Sequence, residues 1–119
     1  LVAGASSSFR VLAGSSATFF AALSVGASGG ILALACLVPE ACSRLFELTL
    51  AGRRVDALTL QQQLLPISRL VGATYGVAGL KAAMDMLGMI GGKPRSPMQP
   101  LGEEQKAKLK GILKEAGIL

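Results

Sequence analysis

The side chains that could do chemistry are few, and their types and spacing exclude much of it. There is no histidine among the 119 residues. The usual acid–base residue near neutral pH, which is also the commonest metal ligand, is therefore missing from this chain. Cys36 and Cys42 are too few for a disulfide framework, and their spacing fits no common metal pattern. Both read as small buried hydrophobes rather than a redox pair. Arg95 stands between prolines in "GGKPRSPMQP", a segment that reads as a strap fixing neighbouring parts more than as an anion site. The net charge is +5, and its surplus lies late in the chain, at Lys93, Arg95, Lys106, Lys108, Lys110 and Lys114. A nucleic-acid surface would interleave such cations with stacking aromatics, and this tail has none, so the lysines read as a solvated helix face.

The elements that would position any site begin in an unusual stretch. No charged residue occurs between Arg10 and Glu40. That length of apolar chain is enough to span a bilayer, and Gly26 and Gly30 form a G-x-x-x-G. The internal pattern argues against a span. "FRVLAG" is a short aliphatic run stopped by Gly14, and "SSATFFAALSVG" opens with hydroxyl residues suited to a helix cap and closes on Gly26. "GGILALA" is a second aliphatic run. Strand, helix, strand is the reading, with Ser15, Ser16, Thr18, Ser24 and Ser28 too polar for lipid. Parallel strands covered on both faces account for the missing charge. No membrane partner is expected.

Downstream, Pro39 and Glu40 mark a helix start, and the helix ends near Gly52. A second helix covers "RVDALTLQQQLLPISRLVGAT", with a kink expected at Pro66. A third covers "GLKAAMDML" and ends at Gly88. A Gly- and Pro-rich loop leads to a last helix from about Glu103 to Ala116, capped by Gly117, with Leu109, Ile112 and Leu113 as its buried stripe. Ile118 and Leu119 are expected to pack back on it. Two parallel strands make a poor sheet with two unpaired edges. The pattern therefore describes the end of a larger α/β protein. The lack of a basic segment before the apolar stretch speaks against a signal peptide, and the start at Leu1 rather than Met points to an incomplete chain.

These segments carry a family likeness. "LAGSS", "GASGGILALA", "LQQQL", "YGVAGLKAAMDMLG", "GGKPRSPMQPL" and "LKEAGIL", in this order, resemble the dihydrodipicolinate synthase / N-acetylneuraminate lyase family. Within it the likeness is greatest to the 4-hydroxy-2-oxoglutarate aldolase branch. The resemblance implies a fold class: α/β, the C-terminal portion of a TIM (β/α)8 barrel. Residues 1–52 would be its last two βα units and residues 53–119 a C-terminal helical extension. It implies class I aldolase or lyase chemistry, in which a lysine forms a Schiff base with a 2-oxo acid. The substrate expected is 4-hydroxy-2-oxoglutarate, cleaved to pyruvate and glyoxylate, with a dihydrodipicolinate synthase-like lyase as the alternative. The family's lysine motif, similar to K-D-S-S/G-G-D, does not occur here, and Lys81 belongs to the helical part. No catalytic residue is therefore expected in this chain; the lysine and a proton-shuttling tyrosine are expected upstream.

What the resemblance leaves here is substrate-binding scaffold. Barrel sites lie at the C-terminal ends of strands. Gly14 ends the first strand, where backbone without a side chain can approach a ligand. Ser15 follows with a hydroxyl and an N–H, and Ile31 faces the Schiff-base region from the second strand. No cofactor or metal is implied, and the intact protein is expected to be a homo-oligomer, a tetramer as is common in the family. The compartment would be mitochondrial in a eukaryote and cytoplasmic otherwise. There are departures: Cys36 stands where the family commonly has Asn, Ala78 where the aldolase branch has Pro, and Gly102 where Ser is common. "YGVAGLK" replaces the synthase branch's N-P-x-P-x-K, which weighs against the synthase. Outside enzymes, the sequence also admits a self-associating barrel fragment or a small membrane protein.

Overall fold

The computed structural model describes residues 2–6 and 8–119. A 3-10 turn at Val2–Gly4 precedes strand β1 (Leu12–Ala13), a 3-10 turn (Ser16–Thr18) and helix α1 (Phe19–Ser24). Strand β2 (Gly29–Gly30) follows, then a 3-10 turn (Ala33–Cys36) and helix α2 (Pro39–Leu50). Helix α3 (Arg54–Arg69) runs into a π turn (Leu70–Thr74), and α4 (Gly76–Met86) and α5 (Glu103–Glu115) complete the order. The strands pair in parallel, Leu12 with Gly29 and Ala13 with Gly30. Each strand is thus followed by a helix, as the apolar pattern predicts.

The strands are much shorter than their aliphatic runs. Ser28 N–H donates to Val11 O at 2.8 Å and Ile31 N–H to Ala13 O at 2.9 Å, and there the ladder stops. Past Ala13 no further bond joins the two strands among the described residues, and the chain enters the 3-10 turn at Ser16. "GGILALA" is therefore strand only at its start. Its second half closes on itself instead, with Ala35 N–H on Leu32 O and Leu37 N–H on Leu34 O. The hydroxyl caps expected before α1 are also missing: neither Ser15 nor Thr18 makes a side-chain cap bond. The stop at Gly26 holds, at φ +98°.

Helix α2 starts at Pro39 with Glu40 in its first turn. It ends through Gly52, whose φ of +70° is readily reached only without a Cβ. It buries Cys42, Leu45 and Leu48. Cys36, expected to be buried as well, is exposed on the 3-10 turn. Burial pushes the Cys42 thiol pKa up, because the thiolate is poorly solvated there. Helix α3 carries Pro66 without interruption as far as Arg69 and then widens, with Tyr75 N–H reaching back to Leu70 O. It buries Ala57, Gln61, Leu64, Ile67 and Ser68, one stripe at helical spacing. Helix α4 begins at Gly76, three residues before the expected "GLK", and its C-terminal end turns through Gly88 at φ +78°. In α5, Leu109 and Leu113 are fully buried and Ile112 is half-buried. Gly117 has the left-handed φ of a C-cap, +65°. Ile118 packs back against the core, while Leu119 is 43% exposed.

The core gathers residues of α1, α2, α3, α4 and α5 around Leu34, Leu45, Ile67, Leu109 and Leu113, the largest fully buried side chains. The loop after α4 is clasped by side chains of that helix. Asp85 Oδ1 accepts from Gly91 N–H at 2.8 Å and Gly92 N–H at 3.2 Å, and Lys81 Nζ donates to Gly91 O. The clasp admits only glycine at 91, since a Cβ there would meet Lys81 O at 2.0 Å. Lys81 therefore has a structural task, while Arg95 in the same loop is exposed. Among the described residues no helix is long and apolar enough to cross a membrane, so residues 11–38 do not form one spanning helix.

Candidate substrate-site rim

The parallel register fixes which strand ends meet. Gly14 follows the last residue of β1 and Ile31 the last residue of β2. Because Ala13 pairs with Gly30, both lie at the C-terminal end of the sheet. Ser15 comes next, in extended backbone (φ −117°, ψ 118°), and leads into the 3-10 turn and α1. The three residues singled out in the sequence are thus brought to one edge. All three are exposed, Ile31 to 76%.

Their surroundings differ. Around Gly14 there is open space: a Cβ would meet nothing within 4 Å. Its φ is not among the positive ones, so no described residue demands glycine there. Gly30 is the opposite case. A Cβ on it would lie 2.8 Å from Cε2 of the Phe19 ring and 3.1 Å from Ala13 O. The ring of Phe19, at the start of α1, thus packs against β2 directly before Ile31.

The edge has no chemistry of its own. No histidine, lysine or carboxylate is among Gly14, Ser15 and Ile31, and no group of three potential metal ligands exists among the described residues. A hydroxyl, backbone N–H groups and an apolar side chain can bind and orient a small molecule but supply no nucleophile activated by a neighbouring base.

Two grooves flank the sheet. One of about 490 Å³ runs between β2 and α2, lined by Gly29, Gly30, Leu32, Cys42 and Phe46 among others, and also by Ser28, Ser43 and Glu47. Another of about 390 Å³ lies beside β1 and α1, lined by Val11, Leu12, Ala13, Ala22 and Val25 among others.

One residue at the edge was missed in the sequence. Gln61, read only as part of "LQQQL", is buried and joins α3 to the turn after Ser15. The signal was present: Ala57, Gln61, Leu64 and Ser68 share one helical face, so a glutamine interrupts an otherwise apolar or small-residue stripe.

The chain is similar to known proteins over most of its length. A 4-hydroxy-tetrahydrodipicolinate synthase of Mesorhizobium japonicum is 35% identical over 101 residues, covering 82% of this chain and 34% of that protein. The solved 4-hydroxy-tetrahydrodipicolinate synthase of Methylacidiphilum fumariolicum superposes with a TM-score of 0.90 at 32% identity, over 98% of this chain and 39% of that one. The chloride-inhibited dihydrodipicolinate synthase of Acinetobacter baumannii, solved with pyruvate, gives 0.86 at 27% identity, over 93% and 38%. The chain therefore spans between a third and two fifths of the length of these relatives. These relatives are synthases, so the aldolase branch expected from the sequence finds no support, and the alternative named beside it does. The model of the Dihydrodipicolinate synthetase family matches residues 1–116, and the chain belongs to that family.

Proposed function

We propose that this chain is the C-terminal part of a class I lyase of the dihydrodipicolinate synthase kind, and that it forms part of the rim of a 2-oxo acid site. Residues 1–52 contribute two βα units of a (β/α)8 barrel and residues 53–119 a helical extension. The reacting lysine belongs to a part of the enzyme outside these residues, because the family's lysine motif has no counterpart among them. Pyruvate is the substrate proposed, on the likeness to the pyruvate-bound synthase. Gly14 leaves room for backbone to approach it, Ser15 offers an N–H and a hydroxyl, and Ile31 lends an apolar wall.

The observation that carries this reading is the convergence of Gly14, Ser15 and Ile31 on the C-terminal end of two parallel strands, each followed by a helix. That is the end at which barrel sites are built. The grooves beside both strands leave room for further barrel elements to pack there. The relatives named above come from bacteria, which supports a cytoplasmic enzyme and leaves a mitochondrial one without support. Homo-oligomerisation is carried over from the family.

Gly14→Val in the complete enzyme tests the reading. The added side chain enters open space, so the fold should keep its stability while KM for pyruvate rises by roughly tenfold or more, the loss of about 1.4 kcal/mol of binding. An unchanged KM contradicts the placement.

A further inference from the structure

We infer that Gln61 is a positioning residue for this rim: from α3 its amide holds the turn that carries the chain from Ser15 into α1. This deepens the reading proposed above and rests on it for the word substrate, while the tie itself stands on geometry alone.

Gln61 is 7% exposed, and both ends of its amide are used. Oε1 accepts from Phe20 N–H at 2.9 Å, and Nε2 donates to Ser16 O at 3.0 Å. The partners lie 41 and 45 residues away in the chain, so the bonds are tertiary. They also meet a need. The first N–H groups of a helix have no intrahelical acceptor, and Phe20 is the second residue of α1. Neither Ser15 nor Thr18 supplies a side-chain cap. Helix α1 has only six residues, too few to hold itself together. The turn's own bond, Thr18 N–H to Ser15 O, is long at 3.4 Å. Gln61 thus caps α1 from another helix.

Two further contacts carry the constraint across the rim. The Arg54 guanidinium, also on α3, lies 5.8 Å from the centre of the Phe20 ring, within cation–π range. Phe19, held beside Phe20, packs on Gly30, and Ile31 follows directly. Gly14 and Ser15 are therefore tied to α3 through Ser16, and Ile31 through Phe19. Gln61 touches no reacting group and acts through these neighbours.

Backbone amide NMR of the 119-residue chain tests this, with Leu109→Ala as a control that weakens the core at a distance. Gln61→Leu keeps the volume but offers neither hydrogen bond. The expected result is displaced Gly14, Ser15 and Ile31 amide resonances. Exchange at Ile31 should be faster by roughly tenfold relative to amides of α2. Leu109→Ala should lower the melting temperature and leave the three resonances in place. If Gln61→Leu does not fold, Gln61→Glu serves: it keeps an acceptor for Phe20 and removes the donor to Ser16, so Gly14 and Ser15 should still move. Unmoved rim resonances overturn the inference, as do equal shifts in Leu109→Ala or an unfolded parent chain. Moved resonances together with an unchanged KM in Gly14→Val would leave the tie standing and remove the substrate reading.

Discussion

Around α3, α4 and α5, Ala57, Ile67, Ala83, Leu109 and Leu113 reach complete burial, whereas along the strands Leu12 remains 50% exposed and Ile31 76%. Phe9 and Val25, flanking β1 and α1, are exposed to 67% and 71%. The helical region buries the first set in the shared core, although Leu50, Val55 and Ile90 stay 68%, 78% and 94% exposed. The strand region has a two-residue parallel pair, unpaired edges and open grooves on both sides. The difference teaches where stability and function part company. The helices hold most of the buried scaffold, and the strands present an edge that gains meaning only with further strands beside it. Gln61 is where helix α3 takes hold of the turn beside the strand edge.

The comparison can be broken first at the scaffold. Ile67→Ala empties a fully buried site that the surrounding helices cannot refill, so it should cost about 2–5 kcal/mol in a urea titration of the chain. A loss under about 1 kcal/mol would mean that the helical core is looser than its burial indicates. A sharper and smaller effect is expected in the strands. Gly30→Ala drives a Cβ into the Phe19 ring and should cost about 1–3 kcal/mol, with the displacement centred on Phe19 and Ile31. If Gly30→Ala proves neutral, Phe19 can move freely, and its link to the rim is lost.

Much of the helical region was legible in the sequence because its signals are local. Pro39 and Glu40 start α2, the left-handed Gly52, Gly88 and Gly117 end helices, and the Leu109 and Leu113 stripe declares the buried face of α5. The strands were legible as parallel βα units but not in length. Their extent depends on hydrogen-bond partners, and β1 stops offering them after Ala13. That is why "GGILALA" turns into a 3-10 segment at Ala33 and why Cys36 comes to the surface. Gly14, Ser15 and Ile31 entered through the family likeness, and parallel pairing brings them to one edge. Gln61 stayed hidden because its partners lie more than forty residues away, and a polar residue on a buried stripe marks a tertiary bond without naming the acceptor. The aldolase branch expected from the sequence finds no support among the relatives named above. "YGVAGLK" is one short departure from the synthase pattern, whereas the likeness to synthases is spread along the whole chain.

The most direct measurement is borohydride trapping with pyruvate, followed by peptide mapping, on the complete enzyme and on the 119-residue chain alone. Reduction of a Schiff base leaves the pyruvyl group on the lysine that formed it. The account predicts one modified lysine in the complete enzyme, outside residues 1–119, and no adduct on the isolated chain. A modified Lys81, or an adduct on any other lysine of this chain, would contradict it, and so would a complete enzyme that traps no pyruvate at all.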